Sequence, residues 1–280
     1  MTTKKQKSWF ITGVSTGFGR ELMKAALDRG DSVLGTVRNA RQAEEIEATV
    51  PMRAQAEILD VTDESAVRHA VDRTVSCFGG IDVVMNNAGY GLMGAIEETS
   101  AAEVERQFAT NVFGPLHVMR AAMPHFRAQM GGHVLNITSI GGLVGYPGWG
   151  IYNGTKFALE GLSAGLAKEA AAFGVKVTAV EPSAFRTDWA GRSLKHSSKA
   201  IEAYDHNTPR NWIDDLNGNQ NGDPVRAAQA MLAIVDMDEP PKQLLLGSAA
   251  LEEAAGTYEA ALSQFREHAE LTNSADFPES

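Results

Sequence analysis

Tyr152-Asn153-Gly154-Thr155-Lys156 opens a helical pattern, and side chains four apart share one face of a helix, so the Lys156 ammonium lies near the Tyr152 phenol. A phenol titrates near pH ~10, and acid or base work near neutrality requires a neighbouring cation that stabilises the phenolate. Lys156 can be that cation. Ser139 follows the β-branched run His133 to Thr138 and precedes Gly141-Gly142, which places its hydroxyl at the carboxyl end of a strand, where active sites of open α/β sheets form. Asn111 sits in the middle of an otherwise amphipathic helical pattern, at a cost in helix propensity. Each residue also has a plainer use: a helix pair, a turn-forming serine, and a kink or solvated asparagine. Taken together they are residues for moving a proton.

A second chemistry is written earlier in the chain. Thr12-Gly13-Val14-Ser15-Thr16-Gly17-Phe18-Gly19 joins a first strand to a first helix. Glycines there permit positive φ and let phosphate oxygens approach backbone amides, while the helix N-terminus offers partial positive charge. The spacing is G-x-x-x-G-x-G rather than the G-x-G-x-x-G of the common dinucleotide fingerprint. At the end of the second strand, Thr36-Val37-Arg38 has no carboxylate to hold ribose hydroxyls. Arg38 can instead clamp a 2′-phosphate by charge-assisted bonds, which favours NADP(H) and leaves NAD(H) as the alternative.

These residues need a sheet to position them. Strands are expected at Ser8 to Thr12, Ser32 to Val37, Ala54 to Leu59, Ile81 to Asn86, His133 to Thr138, Val175 to Glu181 and Gln243 to Gly247. Helical patterns lie between them at Arg20 to Arg29, Glu64 to Phe78, Ala102 to Met130, Ile151 to Phe173 and Val225 to Asp236. The alternation predicts an α/β fold: a Rossmann-type, doubly wound, seven-stranded parallel sheet with helices on both faces. One domain spans 1–280, with a substrate loop or lid at about 183–223 and a C-terminal helical extension at about 248–280. The lid stretch lacks apolar periodicity and ends in the turn-forming run Asn217 to Gly222.

The 280 residues carry a net charge of -10, which gives no footprint for nucleic acid. One cysteine, Cys77, forms no internal disulfide and points to a reducing, cytoplasmic setting. No run of about 18 apolar residues predicts a membrane span. The seven histidines show no short ligand spacing, so no metal is expected.

In this order the motifs resemble the short-chain dehydrogenase/reductase family, and the likeness runs from Thr12 to about Gly247. It rests on Thr12-Gly13-x-x-x-Gly17-x-Gly19, Asn86-Asn87-Ala88-Gly89, Asn111, Ser139 and Tyr152-x-x-x-Lys156. The resemblance implies Tyr152 as acid/base, Ser139 polarising a substrate carbonyl, Lys156 lowering the tyrosine pKa and binding the nicotinamide ribose, and Asn111 positioning a water. It implies a cofactor cleft lined by Gly13, Ser15, Thr16, Gly17, Phe18, Gly19, Arg38, Asp60, Val61, Asn87, Ala88 and Gly89. Pro182-Ser183-Ala184-Phe185-Arg186-Thr187 is similar to the family's Pro-Gly-x-x-x-Thr, with serine in place of glycine, and implies that Pro182, Phe185 and Thr187 border the nicotinamide. Within the family the chain looks most like NADP(H)-preferring 17β-hydroxysteroid and retinol dehydrogenases.

The expected function is hydride transfer between NADP(H) and a ketone or secondary alcohol. Leu143, Tyr146, Trp149 and Trp189 are expected to form an apolar wall for a substrate with a hydrophobic body. One rival reading is an NAD(H)-dependent dehydrogenase of a hydroxy compound. Another is a non-catalytic dinucleotide sensor, against which the retention of Asn111, Ser139, Tyr152 and Lys156 argues. The family likeness also implies a homodimer or homotetramer paired through the two long helices.

Overall fold

Trp9, Phe10 and Ile11 are wholly buried, and their side chains alternate between two apolar layers: Trp9 and Ile11 enter one, Phe10 the other. A strand buried on both faces must be central in a sheet covered on both sides. The computed structural model describes residues 6–277 apart from 207, 212 and 214–216. The outermost residues of both termini and those five positions of the 183–223 loop lie outside the described residues. Nine strands are described: β1 Ser8–Ile11, β2 Ser32–Val37, β3 Ala54–Ile58, β4 Val83–Asn86, β5 Gly91–Met93, β6 Gly132–Ile137, β7 Val175–Pro182, β8 Leu194–His196 and β9 Gln243–Leu246. Seven form one sheet in the order β3-β2-β1-β4-β6-β7-β9, and all its pairings are parallel. The expected fold class is what the chain adopts.

The chain winds outward from β1 in both directions, so a crevice opens between the carboxyl ends of β1 and β4, the topological switch point at which such sheets bind ligands. The helices, in chain order, are α1 Gly17–Asp28, α2 Ala40–Glu47, α3 Glu64–Phe78, α4 Ala101–Phe108, α5 Gly114–Gln129, α6 Gly150–Glu169, α7 Pro224–Val235, α8 Ser248–Glu267 and α9 Ala269–Asn273. α1 and α7 cover one face through Leu22, Met23, Ala26, Met231 and Leu232. α3, α5 and α6 cover the other through Val67, Val71, Val118, Phe126 and Leu159. Among the described residues no helix is long and apolar enough to cross a membrane.

The structure departs from the expected elements in three places. α2 is not among the expected helices; it is capped by the Asn39 side chain, which accepts from Gln42 N at 3.0 Å, and only Ala43 and Ile46 of it pack, partly buried, against the core, too few apolar positions for a period to stand out. The long helix Ala102 to Met130 is interrupted by a π turn at Ala109–Phe113, with Asn111 inside it. The extra residue of such a turn rotates the local side chains out of helical register. Third, the 183–223 loop carries a strand: β8 pairs in parallel with β5, as Gly91↔Leu194, Leu92↔Lys195 and Met93↔His196. Buried Glu98 anchors the same loop, accepting from Ile201 N at 2.7 Å and from Arg210 Nη2 at 2.5 Å.

Candidate active site

The glycine turn follows β1 directly. Gly13 (φ +73) and Gly17 (φ +60) occupy the left-handed region that a side chain would strain. Thr12 and Asn87 pin the turn to the end of β4: Asn87 Nδ2 donates to Thr12 O at 2.9 Å and Gly13 O at 2.8 Å, while Asn87 N and Ala88 N donate to Thr12 Oγ1 at 2.9 and 3.0 Å. A Cβ on Gly19 would lie 2.4 Å from Gly13 O and 2.6 Å from Asn87 Nδ2, so Gly19 packs α1 onto the turn and does not line the cleft. The first turn of α1 contains no acidic residue, and Thr16, its N-cap, makes no side-chain cap bond.

A cleft of about 1050 Å³ runs from this turn to Tyr152, at the upper end of the roughly 300–1,000 Å³ of ligand pockets. Arg38, Asp60 and Val61 line one end, and Ser15, Thr16, Gly17, Phe18, Asn87, Ala88 and Gly89 line its middle. Pro182, Phe185 and Thr187 close it from the loop side, with the Phe18 and Phe185 rings edge to face at 5.1 Å. The Arg38 side chain is exposed and makes no ion pair with any described residue. Asp60 Oδ1 is occupied by Thr62 N and Thr62 Oγ1 at 2.9 and 2.8 Å. Positive-φ glycines, a helix N-terminus whose first turn holds no carboxylate and a guanidinium at the end of β2 fit the phosphates of a dinucleotide. Ser183 does not adopt positive φ; Gly247 (φ +94) does, and a Cβ there would lie 2.4 Å from Ser183 Oγ.

At the other end, Ser139 leaves β6 in extended backbone and its Oγ accepts from Gly141 N at 3.0 Å. The Tyr152 phenol stands beside Ser139, whose hydroxyl eases its ionisation, but burial outweighs that help and pushes the phenol up to about 12. Lys156 Nζ donates to Ile137 O at 2.8 Å and lies 5.6 Å from the Tyr152 ring centroid. Burial pulls its ammonium down to about 8, opposed by Glu160. Burial is the largest influence on both groups and outweighs whatever the lysine contributes to ionisation of the phenol.

Asn111 is buried behind the cleft, outside its lining. Its Nδ2 donates to Tyr90 O at 2.9 Å and Thr155 Oγ1 at 3.2 Å, and its Oδ1 accepts from Tyr90 N at 3.1 Å. Both amide hydrogens thus hold protein groups, linking α6 to the chain after β4. The π turn is what delivers the side chain to that position.

The apolar wall forms in part. Trp149 and Trp189 stack at 5.4 Å, and each ring meets Tyr152, at 5.8 and 5.4 Å. Tyr146 lines the cleft but spends its hydroxyl on Glu253 of α8; burial and that carboxylate raise its pKa well above the ordinary phenol value. Leu143 is a correction: the 3-10 turn Ile140–Gly142 directs it away from the cleft, onto Ala250 and Ala254 of α8. Asn153 went unread in the sequence, yet its side chain ties Gly141 O at 2.8 Å and Tyr146 N at 3.0 Å to α6. It lies next to Tyr152, but nothing in residue type or spacing marks it.

Behind Lys156 lies a carboxyl pair, Glu160 on α6 and Glu181 on β7. Glu181 is fully buried and accepts from Gln243 Nε2 at 2.8 Å. Burial, then repulsion by Glu160, raises Glu181 well above the carboxylate range; burial likewise raises Glu160. The fold therefore holds a proton that the unfolded chain releases near its ordinary value of 4.5, and stability falls as pH rises from there through the raised folded value. Glu181→Gln removes this dependence. Between about pH 5 and 8 the melting temperature of the parent should drop relative to the variant by roughly 3 °C or more. Parallel melting curves across that range would refute the shared proton.

The comparisons with known proteins agree with this geometry. Residues 7–198 match the short chain dehydrogenase family. The chain is 38% identical over 257 residues to the oxidoreductase BOA17 of Botryotinia fuckeliana, covering 89% of this chain and 91% of that one. It is 35% identical over 239 residues to a 3-ketodihydrosphingosine reductase of Bacteroides thetaiotaomicron, covering 85% and 86%. A short-chain dehydrogenase from Streptomyces avermitilis superposes with a TM-score of 0.91 at 37% identity, over 98% of this chain and 100% of that one. Among more distant structures, ElxO was solved with NADP (TM-score 0.73, 26% identity, 89% and 100% covered). A Burkholderia phymatum protein of 23% identity was solved with NAD (TM-score 0.77, 100% of each chain). These relatives are named as fungal and bacterial oxidoreductases, not as the 17β-hydroxysteroid or retinol dehydrogenases that the finer resemblance suggested. By its motifs, its sheet and these matches, the chain belongs to the short-chain dehydrogenase/reductase family of oxidoreductases.

Proposed function

We propose that this protein is an NADP(H)-dependent carbonyl reductase and alcohol dehydrogenase acting on a ketone or secondary alcohol with a hydrophobic body. The observation that carries the reading is one cleft lined by Arg38, without an ion pair among the described residues, and by Ser139 and Tyr152. The cofactor supplies the hydride chemistry at its nicotinamide. Gly13, Gly17 and the first turn of α1 would take its diphosphate, Arg38 a 2′-phosphate, and Thr187 with the backbone near Phe185 its carboxamide end.

The chain's own groups handle the oxygen. Ser139 Oγ and the Tyr152 hydroxyl face the same space, so a carbonyl oxygen placed there receives two donors. The phenol, held protonated at neutral pH, gives its proton to the developing alkoxide, a step worth about 10²–10⁴-fold. Lys156, charged below about pH 8, stabilises the phenolate that remains. In the oxidative direction the same groups run backwards.

Trp149, Trp189 and buried Ile213 give the substrate end its apolar character, which suits ketones with a sizeable hydrocarbon body; the reductase relative named for 3-ketodihydrosphingosine supports such a substrate. A free, exposed Cys77 suits a reducing compartment such as the cytoplasm. Self-association through α4–α5 and α6 is part of the reading, supported by exposed Phe113 and Phe157 on those segments. The test is loss of reduced-nicotinamide absorbance with NADPH and with NADH, over ketones from short aliphatic to long-chain and polycyclic. Faster turnover with NADPH and a rise in kcat/KM with substrate hydrophobicity are expected. Preference for NADH, or for small charged ketones, would overturn the proposal.

A further inference from the structure

Arg192 belongs to the 183–223 loop, yet it reaches the phosphate turn. Its Nη2 donates to Thr16 Oγ1 at 3.0 Å and approaches Ser15 Oγ at 3.5 Å, and its side chain lines the dinucleotide cleft. It makes no ion pair with any described residue, whereas Arg29, Arg73 and Arg210 are each paired with carboxylates. Two hydroxyl oxygens are weak partners for a planar guanidinium with five N–H donors, whose fork matches phosphate. The first turn of α1 beneath it has no acidic residue to compete.

Its neighbours in sequence reach the opposite end of the cleft. Trp189, three residues earlier, stacks on Trp149 and meets the Tyr152 ring at 5.4 Å. Gly91 N donates to Ser193 O at 2.9 Å, fixing the residue after Arg192 to β5. One short segment therefore touches the phosphate turn, the sheet edge and the catalytic tyrosine.

We propose that Arg192 is a phosphate-binding residue, supplied by the substrate loop, that exchanges the hydroxyls of Ser15 and Thr16 for a phosphate of the bound dinucleotide and so ties the loop carrying Trp189 across the cleft. This rests on the dinucleotide-binding reading above. No motif of the glycine turn includes it, and its distance in sequence from that turn hides it.

The test is calorimetric titration of NADPH and NADH into the full-length protein and its Arg192→Ala and Arg192→Lys variants, with far-UV circular dichroism as the check on folding. The Ala variant should bind NADPH about 10–100-fold more weakly, the range of one charge-assisted contact, and the Lys variant should recover part of the loss. Equal weakening for NADPH and NADH supports contact with the diphosphate, and weakening for NADPH alone supports contact with the 2′-phosphate. Parent-like affinity of the Ala variant for both nucleotides would overturn the proposal. Failure of the parent itself to bind either nucleotide would instead overturn the underlying reading. Arg226→Ala, a solvent-exposed arginine on α7, should leave both affinities unchanged.

Discussion

Tyr152→Phe is expected to lower turnover of any ketone substrate by about 10²–10⁴-fold, the share a positioned proton donor contributes. The phenylalanine keeps the ring against Trp149 and Trp189, so packing and cofactor affinity should stay within about twofold of the parent, as for a change that removes an interaction made only in the transition state. What disappears is the hydroxyl that stands beside Ser139. Single-turnover kinetics with pre-bound NADPH, beside a calorimetric Kd, separates the two. Turnover within tenfold of the parent would assign the proton to another group. Weakened cofactor binding of the same size as the rate loss would make Tyr152 a binding residue.

The second large effect concerns cofactor choice. Arg38 stands exposed at the end of β2, where no carboxylate is present to hold ribose hydroxyls or to repel a phosphate. Arg38→Ala should raise the Kd for NADPH by about 10–100-fold and that for NADH by less than about threefold. Because the guanidinium is solvated, the difference should shrink as salt is added and counterions screen it. Equal losses for the two cofactors would remove the 2′-phosphate clamp and return the chain to the NAD(H) reading.

The central strands were legible because β1, β2 and β4 are buried on both faces and read as short runs rich in apolar and β-branched residues. The glycine turn and the Tyr-Lys spacing were legible for a different reason: their backbone and side-chain requirements admit few residue types. α2 escapes the sequence because an eight-residue helix that sets only Ala43 and Ile46 against the core is too short for an apolar period to show. β5 and β8 were invisible because three-residue strands are too short for a period to show. Leu143 lies off the cleft because a 3-10 turn after Ser139 diverts the chain toward α8, and residue spacing does not encode that turn. Arg192, Asn153 and the Glu160–Glu181 pair depend on which parts of the chain meet in space, and neither composition nor periodicity encodes that.

The ribbon between β5 and β8 bears on how such an enzyme can change its diet. It moors the 183–223 loop through main-chain groups, Gly91 N to Ser193 O at 2.9 Å and Ser197 N to Met93 O at 2.8 Å, which are the same whatever side chains the loop bears. Lys195 and His196 of that same strand are among the residues that line the cleft. Mutation can therefore rewrite the surface offered to a substrate while the mooring persists, so descendants of one scaffold can diverge in what they reduce without first losing the shape of the site.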